Sequence, residues 1–205
     1  MTVTDSQRLQ SVIAAIDAAN SEDPVRETDS DAGGEVPRAL LYGQRMSRML
    51  EEFAPGSGEL ARIAVRAQHI RRWTVPRGDY PEGRQGYRRW RTDLARYHAE
   101  VTGGLMAENG YSAEEIAHVG KLQRKEGLKS DPEAQLLEDV ACLVFLRHYL
   151  ADFVAAHGHK YDEAKLLGII RKTWKKMSEA ARGAALEQPL PESIKPVVLK
   201  ALEDD

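Results

Sequence analysis

The stretch DPEAQLLEDVACLVFLRHYLADFVAA, residues 131–156, decides the fold class. Asp131 followed by Pro132 reads as a helix N-cap with proline at the first helical position, where a missing N–H costs nothing. From Leu136 to about Ala156 the segment is strongly apolar and keeps a helical period, with no strand-like alternation. One residue does not suit that apolar surface. At 100° per residue, Asp139 lies between Leu136, Leu143 and Leu146, with Glu138 beside it. A carboxylate so placed loses several kcal/mol of hydration unless it is paired or holds a cation. The sequence leaves both options open: a buried salt bridge to an arginine, or a metal-binding or catalytic role.

The same helical period recurs on either side. Leu9, Val12, Ile13 and Ile16 predict a helix over about 4–19, and residues 20–36, rich in Asp, Glu, Ser and Gly, read as a long loop. Pro37 opens a second helix carrying Leu40, Leu41, Met49, Leu50 and Phe53. After the break at 54–58 a third helix is expected over about 58–72. Residues 73–86, with Pro76, Gly78, Pro81, Gly83 and Gly86, form a structured loop. A long helix with Trp90, Leu94, Tyr97, Val101 and Leu105 comes next. Ser112 and Glu115 make a capping box for a helix that ends at Gly127. Beyond 156, a helix over about 162–182 and a short one near Glu192 complete about eight. The expectation is an all-α, single-domain, multi-helix bundle over residues 1–205, with its core at about 5–182.

Composition narrows the classes further. The chain has 205 residues, 42% hydrophobic and 30% charged, enough for a real core under a well-solvated surface. Cys142 is the single cysteine, which excludes an intrachain disulfide and a thiolate metal cluster. No apolar run of ~18 residues is present, and Met1 to Gln10 is polar, so neither a membrane span nor a signal peptide is expected. The chain reads as cytoplasmic. No glycine-rich loop follows a strand, so neither a dinucleotide fold nor a P-loop is supported.

The net charge of −3 hides a strong asymmetry. Residues 1–60 carry eleven Asp and Glu against five Arg, whereas residues 66–96 carry nine Arg against Asp79, Glu82 and Asp93. A local basic segment of this kind favours an anionic ligand, most often phosphate. Within it, Arg72, Arg77, Arg84 and Arg91 are candidates to grip phosphate, and Trp73, Tyr80 and Tyr87 to stack on a base. A second basic helix carries Lys172 and Lys176 one turn apart. The blander alternatives are aromatics that only pack the loop down and cations that only solvate a surface.

Two histidines stand out. His69, on the expected third helix, lies opposite the stripe of Leu60, Ala64 and Ala67 and shares a face with Val65 and Trp73, which points to an interior position. His98 flanks the stripe of Leu94, Tyr97 and Val101. His69, His98 and Asp139 thus come from three helices, and neutral imidazoles with a carboxylate suit Mn, Fe, Co or Zn. Such an ion can lower the pKa of a bound water and polarise a phosphoryl oxygen.

Five segments, AQHIRRW (67–73), PRGDYP (76–81), GYRRWR (86–91), LEDVACLVFL (137–146) and KTWKKMS (172–178), together resemble the family called domain of unknown function 4202. The resemblance runs from about Val12 to Ala201 and implies no settled activity. The order of the ionisable residues also resembles the HD-domain phosphohydrolases. That superfamily is all-helical, with a first His on one helix, a His-Asp pair on the next and a distant Asp on a later one. His69, His98 and Asp139 match three of these. Ala99 stands where the paired Asp is expected, and Glu100, about 200° round the helix from His98, is a poor substitute.

The resemblance implies a metal-dependent phosphohydrolase acting on a nucleotide or small phosphate ester. His69, His98 and Asp139 would hold the ion, and Glu138 and Lys125 would serve catalysis, Lys125 near the place where many HD proteins carry a His. The rival expectations are a non-catalytic nucleotide- or RNA-binding module on a degenerate HD-like fold, and an interaction protein whose buried charges are structural pairs.

Overall fold

The computed structural model describes residues 3–29, 33–128, 130–157, 163–187 and 195–202. The chain is mostly helical, as its periodicity predicts. It divides into two compact units, residues 1–134 and 135–205.

The first unit is built from α1 (Val3–Ser21), a two-stranded hairpin, α2 (Arg38–Phe53), α3 (Glu59–Arg66), α4 (Gly83–Glu108), α5 (Ala113–Gln123) and the first turn of α6 (Pro132–Val144). The hairpin pairs β1 (Arg26–Thr28) with β2 (Glu35–Pro37) antiparallel, with Glu27 opposite Val36. It lies in the stretch expected to be loop. Three-residue strands with largely exposed side chains leave no alternation to read. The core is formed by Val12 and Ile16 of α1, Leu41, Met46 and Leu50 of α2, Ile63 and Val65 of α3, Leu94 and Met106 of α4, and Leu122 of α5. Burying each large side chain contributes roughly 1.5–3 kcal/mol.

Charged groups fix how these helices meet. The Arg8 guanidinium on α1 donates to both Glu59 on α3 and Glu115 on α5. Tyr111 donates to the same Glu59. Arg66 forks onto Asp17 through two bonds of 2.7 and 2.6 Å, pinning α3 to α1. Gly43 lets α2 approach α3 closely: a Cβ there would sit 2.8 Å from the Arg66 carbonyl oxygen. The expected capping box is present, with the Glu115 N–H donating to the Ser112 hydroxyl and the Ser112 N–H to the Glu115 carboxylate.

The end of α3 departs from the sequence reading. The helix stops at Arg66 rather than near Arg72, and residues 67–71 form turns. Arg71 has φ +47, in the left-handed region, and its N–H donates to the Asn20 side chain. Two short 3₁₀ turns follow, Arg72–Thr74 and Arg77–Asp79. His69 therefore sits in a turn, and its orientation is set by that turn rather than by a helical face.

The second unit carries the rest of α6, a π-helical turn (Phe145–Tyr149), α7 (Leu150–His157), α8 (Glu163–Lys176), α9 (Glu179–Glu187) and α10 (Lys195–Leu202). The long apolar helix expected over 136–156 is thus interrupted at its middle by the π turn. The helix expected over 162–182 is broken at Ser178, whose hydroxyl accepts from the Ala181 N–H and so caps α9. Glu192, near which the last helix was expected, lies outside the described residues, and α10 begins at Lys195.

Candidate functional site

A cavity of about 460 Å³ opens in the first unit, within the range of small-molecule sites. All its lining comes from residues 68–126: the turn after α3, the middle of α4, and the end of α5. Five cationic side chains, Arg72, Arg91, Arg96, Arg124 and Lys125, face one carboxylate, Glu126. Arg124 pairs with Glu126 at 2.6 Å, and Arg96 reaches Asp93 at 4.0 Å. Among the described residues Arg72 and Arg91 form no ion pair with a carboxylate. Arg72 is instead held over the Trp90 ring, 4.8 Å from its centroid, and Trp90 is itself fixed by its indole N–H donating to the Val75 carbonyl.

The two histidines predicted from sequence meet here, with ring centroids 6.0 Å apart. His69 stacks on Tyr42 of α2 at 3.9 Å and 18°. His98 is 4% exposed. Burial first, then the charges of Arg72 and Arg91, lower its pKa from 6.5 to about 3. His69 is held well below 6.5 by burial, and next by Arg72, His98, Arg91 and Lys125. Both rings are therefore neutral at pH 7. Burial and the neighbouring Arg91 also lower the Arg72 pKa.

The tautomer of His98 follows from its bonds. Its ring hydrogen-bonds the Gln68 backbone, a contact that favours a proton on the ring, and Nε2 is buried with no partner among the described residues. The Gln68 carbonyl thus takes the Nδ1 proton, and Nε2 carries the lone pair. Beside it, Gln123 donates through Nε2 to Thr102 Oγ1 at 2.9 Å and to the Ala67 carbonyl at 3.3 Å. Those two bonds fix the amide, leaving Gln123 Oε1 buried and without a partner among the described residues, as is Gln68 Oε1.

Lys125 occupies an unusual position. Its N–H donates to the Leu122 carbonyl and the Glu126 N–H to the Lys121 carbonyl, while Lys125 itself has φ +58. This is a Schellman ending, whose left-handed position is normally glycine. A lysine there costs about 1 kcal/mol or more of backbone strain. Arg71, next to Arg72, is the other non-glycine residue with positive φ among the described residues. Lys125 lines the cavity, and Arg71 directly precedes the lining residue Arg72.

The remaining candidates are not among the residues that line the cavity. Arg77 donates to the Tyr80 and Pro81 carbonyls at 2.9 Å each, closing its own loop. The Tyr80 hydroxyl bonds Asp93. Trp73 is half-buried in its 3₁₀ turn, and Arg84 and Tyr87 are exposed near the start of α4, Tyr87 at 48%. Lys172 and Lys176 are exposed on α8 in the second unit. Glu138 and Asp139 are both buried there. Lys176 pairs with Glu138 at 3.2 Å. Asp139 Oδ1 accepts from the Ser178 N–H and from Gln135 Nε2, both at 2.8 Å, and Gln135 also donates to the Lys176 carbonyl. The Asp139 carboxylate thereby ties α6 to the start of α9. Among the described residues no group of three or more His, Cys, Asp or Glu side chains converges as a metal-ion site requires.

Ala99, in the place of the Asp that the HD pattern expects, is buried and packs toward Gly120 of α5: a Cβ built on Gly120 would lie 3.8 Å from the Ala99 methyl. Small residues at both positions allow α4 and α5 to approach. The sequence reading missed Tyr42, Gln68, Gln123, Arg96, Arg124 and Glu126, none of which carries a motif of its own. Gln68 is legible only as the neighbour of His69.

No helix of the described residues is long and apolar enough to cross a membrane. Comparison with curated proteins and with solved structures gives no match. One protein-family pattern matches residues 10–198, nearly the whole chain, and the chain belongs to that family, described as Domain of unknown function (DUF4202).

Proposed function

We propose that the chain binds a phosphorylated small molecule, a nucleotide or another phosphate ester, in the cavity around His98, and that the imidazole pair serves phosphoryl-ester hydrolysis there. The observation that carries this reading is the pairing of two arginines, Arg72 and Arg91, with a buried neutral imidazole, where among the described residues the arginines have no carboxylate partner and the imidazole Nε2 accepts no hydrogen bond. Guanidinium groups at such a cavity, Arg72 held over Trp90 and the exposed Arg91, stabilise a dianion and the charge that builds on equatorial oxygens in phosphoryl transfer. His98, oriented through Nδ1 by the Gln68 carbonyl, accepts a proton at Nε2 from a water whose oxygen bonds to phosphorus as the ester P–O bond breaks, and the leaving alkoxide takes a proton from solvent. The arriving phosphate charge raises the basicity of both imidazoles, so that proton transfer is favoured only once the ligand is bound.

Resemblance to the HD-domain phosphohydrolases supports the same reaction class, with His69 and His98 as the shared imidazoles. It would add a divalent ion held by these two and Asp139. Among the described residues no three His, Cys, Asp or Glu side chains converge to hold such an ion, so no step is routed through one. Arg72, Arg91 and Lys125 are the phosphate groups of this reading. Arg84, Tyr87, Lys172 and Lys176 would matter only for an extended polyanion.

The test uses tag-free protein assayed for phosphate release from a panel of nucleotides and sugar phosphates, with and without Mn or Co, alongside binding of a labelled oligoribonucleotide. Turnover that falls at least tenfold in His98→Asn supports hydrolysis. Binding of a phosphate ester without turnover under any metal condition reduces the function to a binding module. No binding of any phosphate ester overturns the reading.

A further inference from the structure

Cations alone do not describe this cavity. Three acceptor atoms in its lining, His98 Nε2, Gln123 Oε1 and Gln68 Oε1, are buried without a hydrogen-bond partner among the described residues. Buried polar atoms in native proteins are nearly always satisfied, so three in one cavity call for a reason. Phosphate does not supply it. A phosphate dianion is all acceptors, and its oxygens are repelled by lone pairs. The orientation of two of the three is fixed from behind: Gln123 by Thr102 and the Ala67 carbonyl, His98 by Gln68. These atoms present acceptors by construction and cannot simply turn to offer a donor.

We propose that the ligand of the cavity is a phosphorylated sugar, free or as the ribose phosphate of a nucleotide, whose hydroxyl groups donate to Gln123 and Gln68 while its phosphate lies against Arg72 and Arg91 and His98 Nε2 is left to the attacking water. The inference rests on the anion-binding reading above and adds the second half of the ligand. It assigns the two glutamines a role in specificity, distinct from the charge-carrying role of the arginines. A site built to bond a substrate hydroxyl discriminates strongly against an analogue lacking it, because its own buried acceptors are then left unpaired. Each hydroxyl met in this way is worth about a tenfold gain in affinity.

Calorimetric titration of the full chain with methyl phosphate, ribose 5-phosphate and a nucleoside 5′-monophosphate tests this. Ribose 5-phosphate is expected to bind at least tenfold more tightly than methyl phosphate. Gln123→Met is expected to cut that preference about tenfold and leave methyl phosphate affinity unchanged. Because Gln123 also bonds Thr102, Gln68→Met provides a second variant at a side chain with no such internal bond. A tighter nucleotide than sugar phosphate identifies the ribose as part of a nucleotide, and the reverse order identifies a free sugar phosphate. Either order supports the proposal. Equal binding of methyl phosphate and ribose 5-phosphate to the wild type overturns it while leaving the anion site standing. A preference that survives both glutamine substitutions also overturns it. Failure of all three probes to bind overturns the anion reading and this proposal together.

Discussion

Replacing His98 with Asn should remove a specific part of the protein's acid sensitivity. Burial and the charges of Arg72 and Arg91 keep the His98 ring neutral in the folded chain down to about pH 3, whereas the unfolded chain protonates it near 6.5. Between those limits the unfolded state binds a proton that the folded state refuses. Stability is therefore full above pH 6.5 and falls as pH drops, by about 1.4 kcal/mol per pH unit inside the window. From pH 7 to pH 4.5 the loss due to His98 comes to roughly 2.5 kcal/mol. For a chain of this size that is about 5–10 °C in Tm. Urea unfolding at several pH values measures it. Other groups titrate in the same range, so the readout is the difference in pH slope between wild type and His98→Asn, not either curve alone. The imidazole C2 proton of His98 by NMR supplies a second readout that survives if the variant folds poorly, and it should show no titration between pH 7 and 4.5. Parallel pH profiles for the two proteins, or a His98 ring that titrates near 6.5, would refute the placement of this ring beside the two arginines.

Other substitutions separate structural from ligand-directed roles. Asp139→Ala should destabilise by about 2–3 kcal/mol, seen as a lowered urea midpoint, because a buried charged acceptor of the Ser178 N–H is lost; an unchanged midpoint contradicts its tie to α9. Lys125→Gly should leave stability equal or raise it by up to about 1 kcal/mol by relieving a left-handed lysine, while weakening phosphate binding in calorimetry. A loss of stability with unaltered phosphate affinity would show instead that this lysine is a structural residue. Gly43→Ala should destabilise by about 1–3 kcal/mol in thermal melts, since its Cβ meets the Arg66 carbonyl, a backbone atom that cannot step aside. Gly120→Ala meets only the movable end of Arg124 and an ordinary contact with Ala99, so it should be tolerated; equal losses for the two glycines would contradict the packing described.

Much of the fold was legible from local signals. The Ser112–Glu115 capping box, Pro37 ahead of α2 and Asp131 with Pro132 ahead of α6 all mark helix starts that the structure bears out, because each rests on groups a few residues apart. The breaks were harder to see. Nothing in the periodicity around Arg66 announces that α3 stops there, since the turn is stabilised by Asn20, a residue 51 positions away from Arg71. The same holds for Asp139. Its sequence setting demands a partner, and in the structure it accepts from Gln135 one turn away and from a backbone N–H 39 residues along the chain. His69, His98, Arg72 and Arg91 were legible as candidates from charge and spacing, and Lys125 from the HD-domain resemblance, and the structure gathers all five at one cavity. Gln68 and Gln123 were not, because an uncharged amide becomes informative only when its partners, or their absence, are known. Lys125 was named for its place in a pattern, and its left-handed backbone is visible only in three dimensions.

The central claim is that the cavity around His98 is an anion site whose affinity comes from Arg72 and Arg91. Calorimetric titration of inorganic phosphate into the wild type and into the Arg72→Gln, Arg91→Gln double variant tests it most directly. The wild type should bind, with affinity falling as salt rises, and the double variant should bind at least tenfold more weakly while melting at a similar temperature. Equal affinity in the two proteins, or no binding to the wild type at low salt, would contradict the account.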